Sequence, residues 1–323
     1  MAGYVKDVSG DVHESESIRE IVGRKKVTEL MQRSDAWGLL FLFGHFGTMA
    51  ITGYVLYLSL GTWWVVPATV LHGFIIACLF APYHECGHNT PFKTRRLNNV
   101  VYLVTGLLIL QLPLKFRYEH ADHHTYTQVD GRDPQIITMG EKIGGWLYYA
   151  AAIPHFHVHF SNLIRTPFAR LSEFEKQSTP EVARPALQRQ AWLFWAIYGA
   201  VVVISIWLQS WAAVIYWLIP RMVGETLQRT IRMGEHVGCA YNDNVFENTR
   251  TVLTWAPIRW LCWNMPYHME HHAIPLVPFH KLPELHKILR KYEKEIGDGY
   301  WKTAILQIRN GIKYSAAKTA LAR

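Results

Sequence analysis

Histidine is the residue type with the most chemistry to offer: 17 of the 323 residues are His, and most of them are clustered. Three boxes stand out: His84-Glu85-Cys86-Gly87-His88, His120-Ala121-Asp122-His123-His124 and His268-Met269-Glu270-His271-His272. Residues three and four apart share a helix face, so each pair or triplet is expected to aim its imidazoles at one locus. Neutral imidazole suits iron, copper, zinc and nickel, and brings no charge near a membrane. At this histidine content the pattern HxxHH should occur about 0.05 times by chance, and it occurs twice. Eight histidines exceed what a four-coordinate zinc would take, whereas two metals, each with an open position, account for them. His236, in Arg232-Met233-Gly234-Glu235-His236, is the candidate ninth ligand. Glu85, Glu119, Asp122, Glu235 and Glu270 stand beside these residues. They are candidates to accept the second ring N–H of a ligand histidine, or are solvated helix-face charges that look the same in sequence.

Such residues need a scaffold, and the rest of the chain describes one. Charged residues are 18%, apolar 50% and aromatic 13%, which excludes a disordered chain, and four Cys exclude a disulfide scaffold. Residues 36–58 and 61–83 are almost uncharged, and each is long enough to cross a hydrocarbon core about 30 Å thick. Residues 192–206 and 211–219 form a second hairpin, its second helix continuing past Pro220 to about residue 225 and on toward Arg229. Residues 100–114 reach only about 22 Å and read as re-entrant or surface-lying. The expected fold is an all-α integral membrane protein, with four transmembrane helices in two hairpins and a cytoplasmic helical cap around a dimetal site. Its parts are a cytoplasmic segment (1–35), a membrane domain (36–286) and an amphipathic C-terminal segment (287–323), and after His280 an apolar stripe at helical spacing runs through Leu282, Leu285, Ile288, Leu289 and Tyr292.

Lys and Arg flank the spans at Arg24, Lys25, Lys26, Lys93, Arg95, Arg96, Arg221, Arg229 and Arg232, while both tight turns lack them. Both termini and the boxes are therefore expected on the cytoplasmic side of a multi-pass protein, in a bacterial inner membrane or the endoplasmic reticulum. The net charge of +8 is read as topology-setting, and no nucleic-acid partner is expected. Cys78, Cys86, Cys239 and Cys262 are expected as free thiols. His155, His157 and His159 alternate in what reads as an interfacial amphipathic segment, and His45 and His72 read as polar packing or substrate-tunnel residues within the spans. Asp130, Asp133 and Pro134 form a turn after the second box.

The order HxxxH, HxxHH, HxxHH around two hydrophobic hairpins resembles the integral-membrane fatty acid desaturase and hydroxylase superfamily, over roughly residues 36–286. HECGH reads like the first box of oleate Δ12 desaturases. Trp263-Asn264-Met265-Pro266-Tyr267 before HMEHH, followed by Pro275, Pro278 and Leu282-Pro283, looks like acyl-lipid, sphingolipid or carotenoid-modifying members. The resemblance implies that His84, His88, His120, His123, His124, His236, His268, His271 and His272 hold two iron ions, with no catalytic residue separate from these ligands. It implies O2 as co-substrate, electrons from an external donor (a ferredoxin, or cytochrome b5 with its reductase) and a membrane lipid or acyl substrate. In that family an acidic turn often follows the second box and can support it, although a plain Asx turn is the preferred reading of Asp130 and Asp133 here. One position departs from the pattern: some acyl-CoA members carry Asn one turn before the isolated ligand, where this chain has Arg232.

Desaturation ranks first and hydroxylation or ketolation of a lipid or carotenoid second. HECGH is also HExxH, the zinc-protease pattern with Glu85 as base, but that reading leaves both HxxHH boxes idle. A metal transporter would distribute its ligands along the spans instead of clustering them at one end. Chain length, regioselectivity, head group and oligomeric state are left open at this level.

Overall fold

The computed structural model describes residues 18–137 and 142–321, with backbone alone from 313 onward. The first 17 residues of the expected N-terminal segment lie outside the described residues. Among those described, three helical stretches are long and apolar enough to cross a membrane: Asp35–Ser59, Val65–His88 and Glu181–Trp207. Ser34 caps the first, its hydroxyl accepting from the Trp37 N–H. The second is interrupted at Cys78 and Leu79, then resumes as Phe80–His88 and carries the first box. The expected fourth span does not meet the same length and apolarity criteria. Helix does run from residue 212 through a π-helical turn, Val214–Leu218, to the α-helix Ile219–His236, but its face is studded with charge.

Residues 100–114 take part in a sharp bend. Arg95–Ile109 and Pro113–Thr125 are both helical and meet at 97°. Leu110 takes a left-handed conformation (φ 64°), and Pro113 starts the second helix where its missing N–H costs nothing. Gly106 lets the corner close, because a Cβ there would come within 2.8 Å of the Gln111 carbonyl oxygen. The bend turns the second box back toward the first.

The third box sits on the six-residue helix His268–Ala273, too short to be stable alone. Trp263 and Asn264, both at positive φ, reverse the chain before it. Asn264 locks that turn by donating its backbone N–H to Arg259 O (2.7 Å) and its amide to Phe279 O (3.1 Å). Trp263 and Phe279 are fully buried with ring centroids 4.6 Å apart, and Met269, Leu282, Leu285 and Leu289 fill the space around them. The apolar stripe after residue 280 thus packs into the core of the catalytic region. Two three-residue strands, Thr251–Leu253 and Ile296–Asp298, pair in parallel with Val252 opposite Gly297. They tie the chain after residue 290 to the box region, a connection the hydropathy pattern does not reveal. The last helix is Tyr300–Leu321.

Candidate metal centre

All nine expected histidines converge, and they do so in two groups. His84, His88, His120, His124 and His271 form one; His123, His236, His268 and His272 form the other, with the potential ligand atoms of each group within 4.8 Å of one another. The foci are adjacent, since His124 and His272 stack at 4.0 Å. The expectation that each triplet serves one locus is corrected here. In both HxxHH boxes the i and i+4 rings share a focus while the i+3 ring serves the other. At 100° per residue, i+3 and i+4 lie on opposite sides of residue i, so they diverge toward two centres.

The rings are buried or half-buried and several carry outward anchors. His123 Nδ1 lies 2.8 Å from Asp133 Oδ1, His120 Nδ1 3.2 Å from Gln135 Oε1, His236 Nδ1 3.2 Å from the Asn248 carbonyl and His272 Nδ1 3.1 Å from Thr127 Oγ1. Each partner can accept, which assigns the proton to Nδ1 and leaves the Nε2 lone pair facing inward. Nε2 atoms also crowd together, 3.0 Å apart in His120–His124 and His236–His268 and 3.1 Å apart in His124–His271, where at most one proton lies between each two rings of neutral imidazole. Nε2 of His84, His88, His123 and His272 is buried with no hydrogen-bond partner among the described residues. Burial holds His236, His268, His271 and His272 well below the usual imidazole range, so protonation does not relieve the crowding. A cation at each focus would satisfy these atoms, and the donor set fits a transition metal.

The five expected carboxylates take different places. Glu85 is held by the Thr90 hydroxyl (2.8 Å) and the Phe279 N–H (3.1 Å), which leaves Oε1 3.8 Å from His84 Nδ1 and 3.9 Å from His271 Nδ1. Its carboxylate thus sits beside two rings of one group and is not aimed at an open position as a protease base would be. Glu235 pairs with Arg232 and lies 3.5 Å from His268 Nε2, and burial pushes its carboxyl up to about 7. Glu119 pairs with Lys115 instead of a box histidine, and Asp122 lies half-buried on the same helix. Glu270 turns away from both foci toward the Thr251 hydroxyl (2.7 Å) and His286, which also meets Glu293 at 2.8 Å. Although burial opposes it, this carboxylate pair raises His286 to about 9.

Asp133 is both a turn residue and an anchor. It accepts from the backbone N–H groups of Gln128 (2.9 Å) and Gln135 (2.8 Å) while facing His123. Against the upward pull of burial, His123 and these donors hold its carboxyl below the usual range. Gln135, Thr127, Asn248, His286 and Glu293 were not legible as site residues, because nothing in their spacing distinguishes them from ordinary polar positions. His155, His157 and His159 lie on the amphipathic helix Ile153–Arg165, which exposes Ile153, Val158, Phe160 and Ile164 and buries His155 on its other face, 3.2 Å from Glu225 and 3.3 Å from Arg221. His45 and His72 are polar packing: His45 bonds the Ile75 carbonyl (2.9 Å), and His72 bonds Thr52 (2.9 Å) and the Tyr216 carbonyl (3.0 Å). All four cysteines are free and buried.

The fatty acid desaturase family model matches residues 61–304, most of the chain and all three boxes. The chain belongs to the fatty acid desaturase family. Relatives of this desaturase include a sphingolipid delta(4)-desaturase of Drosophila melanogaster, 25% identical over 72% of this chain and 68% of the relative. A delta(5) fatty acid desaturase of Caenorhabditis elegans is 24% identical over 91% and 75% respectively. A fatty acid desaturase of Bacillus subtilis is 24% identical over 81% and 79%. Desaturation is therefore favoured over the hydroxylase reading, and the zinc-protease alternative falls away.

Proposed function

We propose that this desaturase is a multi-pass membrane enzyme that introduces a double bond into the aliphatic chain of a membrane lipid, using two irons held by the nine histidines. The observation that carries the proposal is the division of those imidazoles into two adjacent groups, with Nε2 of His84, His88, His123 and His272 buried and unpartnered among the described residues. An alkyl C–H offers no proton for a side-chain base and no charge for an oxyanion hole, so side-chain chemistry alone does not suffice. Bound iron would supply the O2-dependent oxidation that removes two hydrogens from adjacent methylenes, with two electrons from a separate ferredoxin or cytochrome b5.

The chain's own residues do the positioning. Asp133, Gln135, Thr127 and the Asn248 carbonyl fix ring orientation, Glu85 lies against two rings, and the short helix His268–Ala273 is wedged between Trp263, Phe279 and the Leu282–Leu289 helix. The surrounding apolar side chains exclude water from the centre. The positive-charge pattern supports a cytoplasmic position for the boxes and both termini.

The test is expression with a competent electron donor in a host of known lipid profile, joined to metal analysis of the purified protein. Two irons per chain and new unsaturated lipids are expected, with both lost in the double variant His123→Ala, His271→Ala. A single zinc per chain, or full activity in the double variant, would overturn the proposal.

A further inference from the structure

A third cluster of ligand-type side chains lies behind the metal centre and takes no part in it. Glu270, His286 and Glu293 bring two carboxylate oxygens and an imidazole nitrogen within 4.8 Å of one another. Each comes from a different segment: Glu270 from the third-box helix, His286 from the helix Leu282–Leu289, and Glu293 from the loop before the strand Ile296–Asp298. Leu282, Leu285 and Leu289 are buried positions of their helix, and His286 falls on the same stripe, so an imidazole stands where an apolar side chain would otherwise pack. The loop is pinned just past Glu293, where the Lys294 N–H donates to the Phe246 carbonyl (3.2 Å) and the Thr251 N–H donates to the Glu295 carbonyl (3.1 Å).

The contacts within this cluster do not balance. Both carboxylates meet the same atom, His286 Nδ1, with Glu293 at 2.8 Å and Glu270 in close contact. One N–H serves two such acceptors poorly. Glu270 has a second anchor in the Thr251 hydroxyl (2.7 Å), but Glu293 Oε2 is buried with no partner among the described residues, on a side chain wholly shielded from solvent. Among the described residues neither carboxylate pairs with Lys or Arg, so an imidazolium leaves one negative charge uncompensated in the interior. A divalent cation beside a neutral His286 would remove that charge and give Oε2 a partner. Donors around a four-coordinate ion stand roughly 3.3 Å apart, so the oxygens need draw back by only about half an ångström. His286 keeps 11% side-chain exposure while both glutamate side chains have none, which gives an ion a way in past the ring.

We propose that Glu270, His286 and Glu293 form a third metal site, separate from the two histidine foci, which takes a divalent cation of the zinc class and clamps the third box from behind. One imidazole with two carboxylates suits such an ion, whereas both foci offer imidazole alone. Glu270 stands between His268 and His271, so an ion that holds it fixes a six-residue helix too short to be stable by itself. The site stands on its own geometry and does not depend on the desaturase reading.

The test uses the purified full chain, loaded with iron and then equilibrated with zinc chloride. Iron and zinc are counted separately, and X-ray absorption at the zinc edge reads the zinc environment. One zinc beside two irons is expected, with a single imidazole in its shell, whereas zinc at a focus would show four or five. The added zinc should raise the melting temperature in detergent and slow the loss of iron to a chelator. His286→Arg, whose guanidinium can bridge both carboxylates but binds no metal, should lose the zinc and keep both irons. Glu293→Gln should weaken zinc binding about tenfold or more, while Glu284→Gln, which alters a surface carboxylate of the same helix, should not. If a cluster variant does not fold, the zinc count and the imidazole count of the wild-type chain still decide. No zinc beside the irons would mean an imidazolium held between two carboxylates, and zinc among four or more imidazoles, or retained in His286→Arg, would mean a histidine focus. Each of these overturns the third site. Three zincs and no iron, with one zinc lost in His286→Arg, would leave the site standing and sink the two-iron reading.

Discussion

Gly224 presses against Gly73 so tightly that a Cβ added to it would stand 1.9 Å from the Gly73 carbonyl carbon, and one added to Gly73 would stand 2.0 Å from the Pro220 carbonyl oxygen. Both obstacles are backbone, so neither moves aside as a side chain would. This crossing fixes the helix that ends in His236 against the stretch that ends in His84 and His88, and so sets the separation of ligands drawn from both groups.

Gly224→Ala should therefore destabilise the protein by about 3 kcal/mol or more and lower its metal content, because overpacking here has no outlet. Gly199→Ala, where nothing lies within 4 Å, should leave both unchanged within about 1 kcal/mol. Thermal unfolding in detergent and metal analysis of the two variants make the comparison; equal behaviour would show that the crossing is not tight in solution.

Asp133→Asn keeps the shape of the turn but replaces the carboxylate facing His123. Metal affinity or activity is expected to fall about 10–100-fold, with the fold retained. Competition with a chelator measures the affinity, and a wild-type value would remove Asp133 from the site.

Glu225 is fully buried between Arg221 and Arg229, the latter with its Nε at 2.5 Å, and faces His155. Removing it as Glu225→Ala strands two guanidinium groups in the interior, a loss expected to cost about 3–5 kcal/mol. A melting temperature close to wild type would mean that water or lipid reaches this network.

Acid should release the metal and loosen the fold together. The imidazoles of His236, His268, His271 and His272 are held well below their unfolded value by burial. Below about pH 6.5 the unfolded chain therefore binds more protons than the native one, and stability falls as pH falls. Metal retention measured from pH 7.5 to 5 should drop with more than one proton taken up per chain. A flat profile across that window would contradict the burial of neutral rings.

Much of the site was legible before any fold was known. HxxHH is so improbable by chance that its recurrence alone announced metal ligands, and two long apolar runs announced a membrane protein. His236 could be nominated because it follows an apolar hairpin at the same end. What the chain order hides is the sorting of rings between two foci. A helical triplet looks like one unit in sequence, yet each extra residue turns 100°, so only the packing of four helices decides which ring meets which. The same holds for Gln135, Thr127 and Asn248, whose partners are 15, 145 and 12 residues away. Local spacing determined which residues carry the chemistry, because periodicity is a property of the chain itself. Tertiary structure decided how those residues divide and what holds them still, because convergence at two points depends on a 97° corner, a glycine crossing and a Trp263–Asn264 turn that close only when distant segments meet.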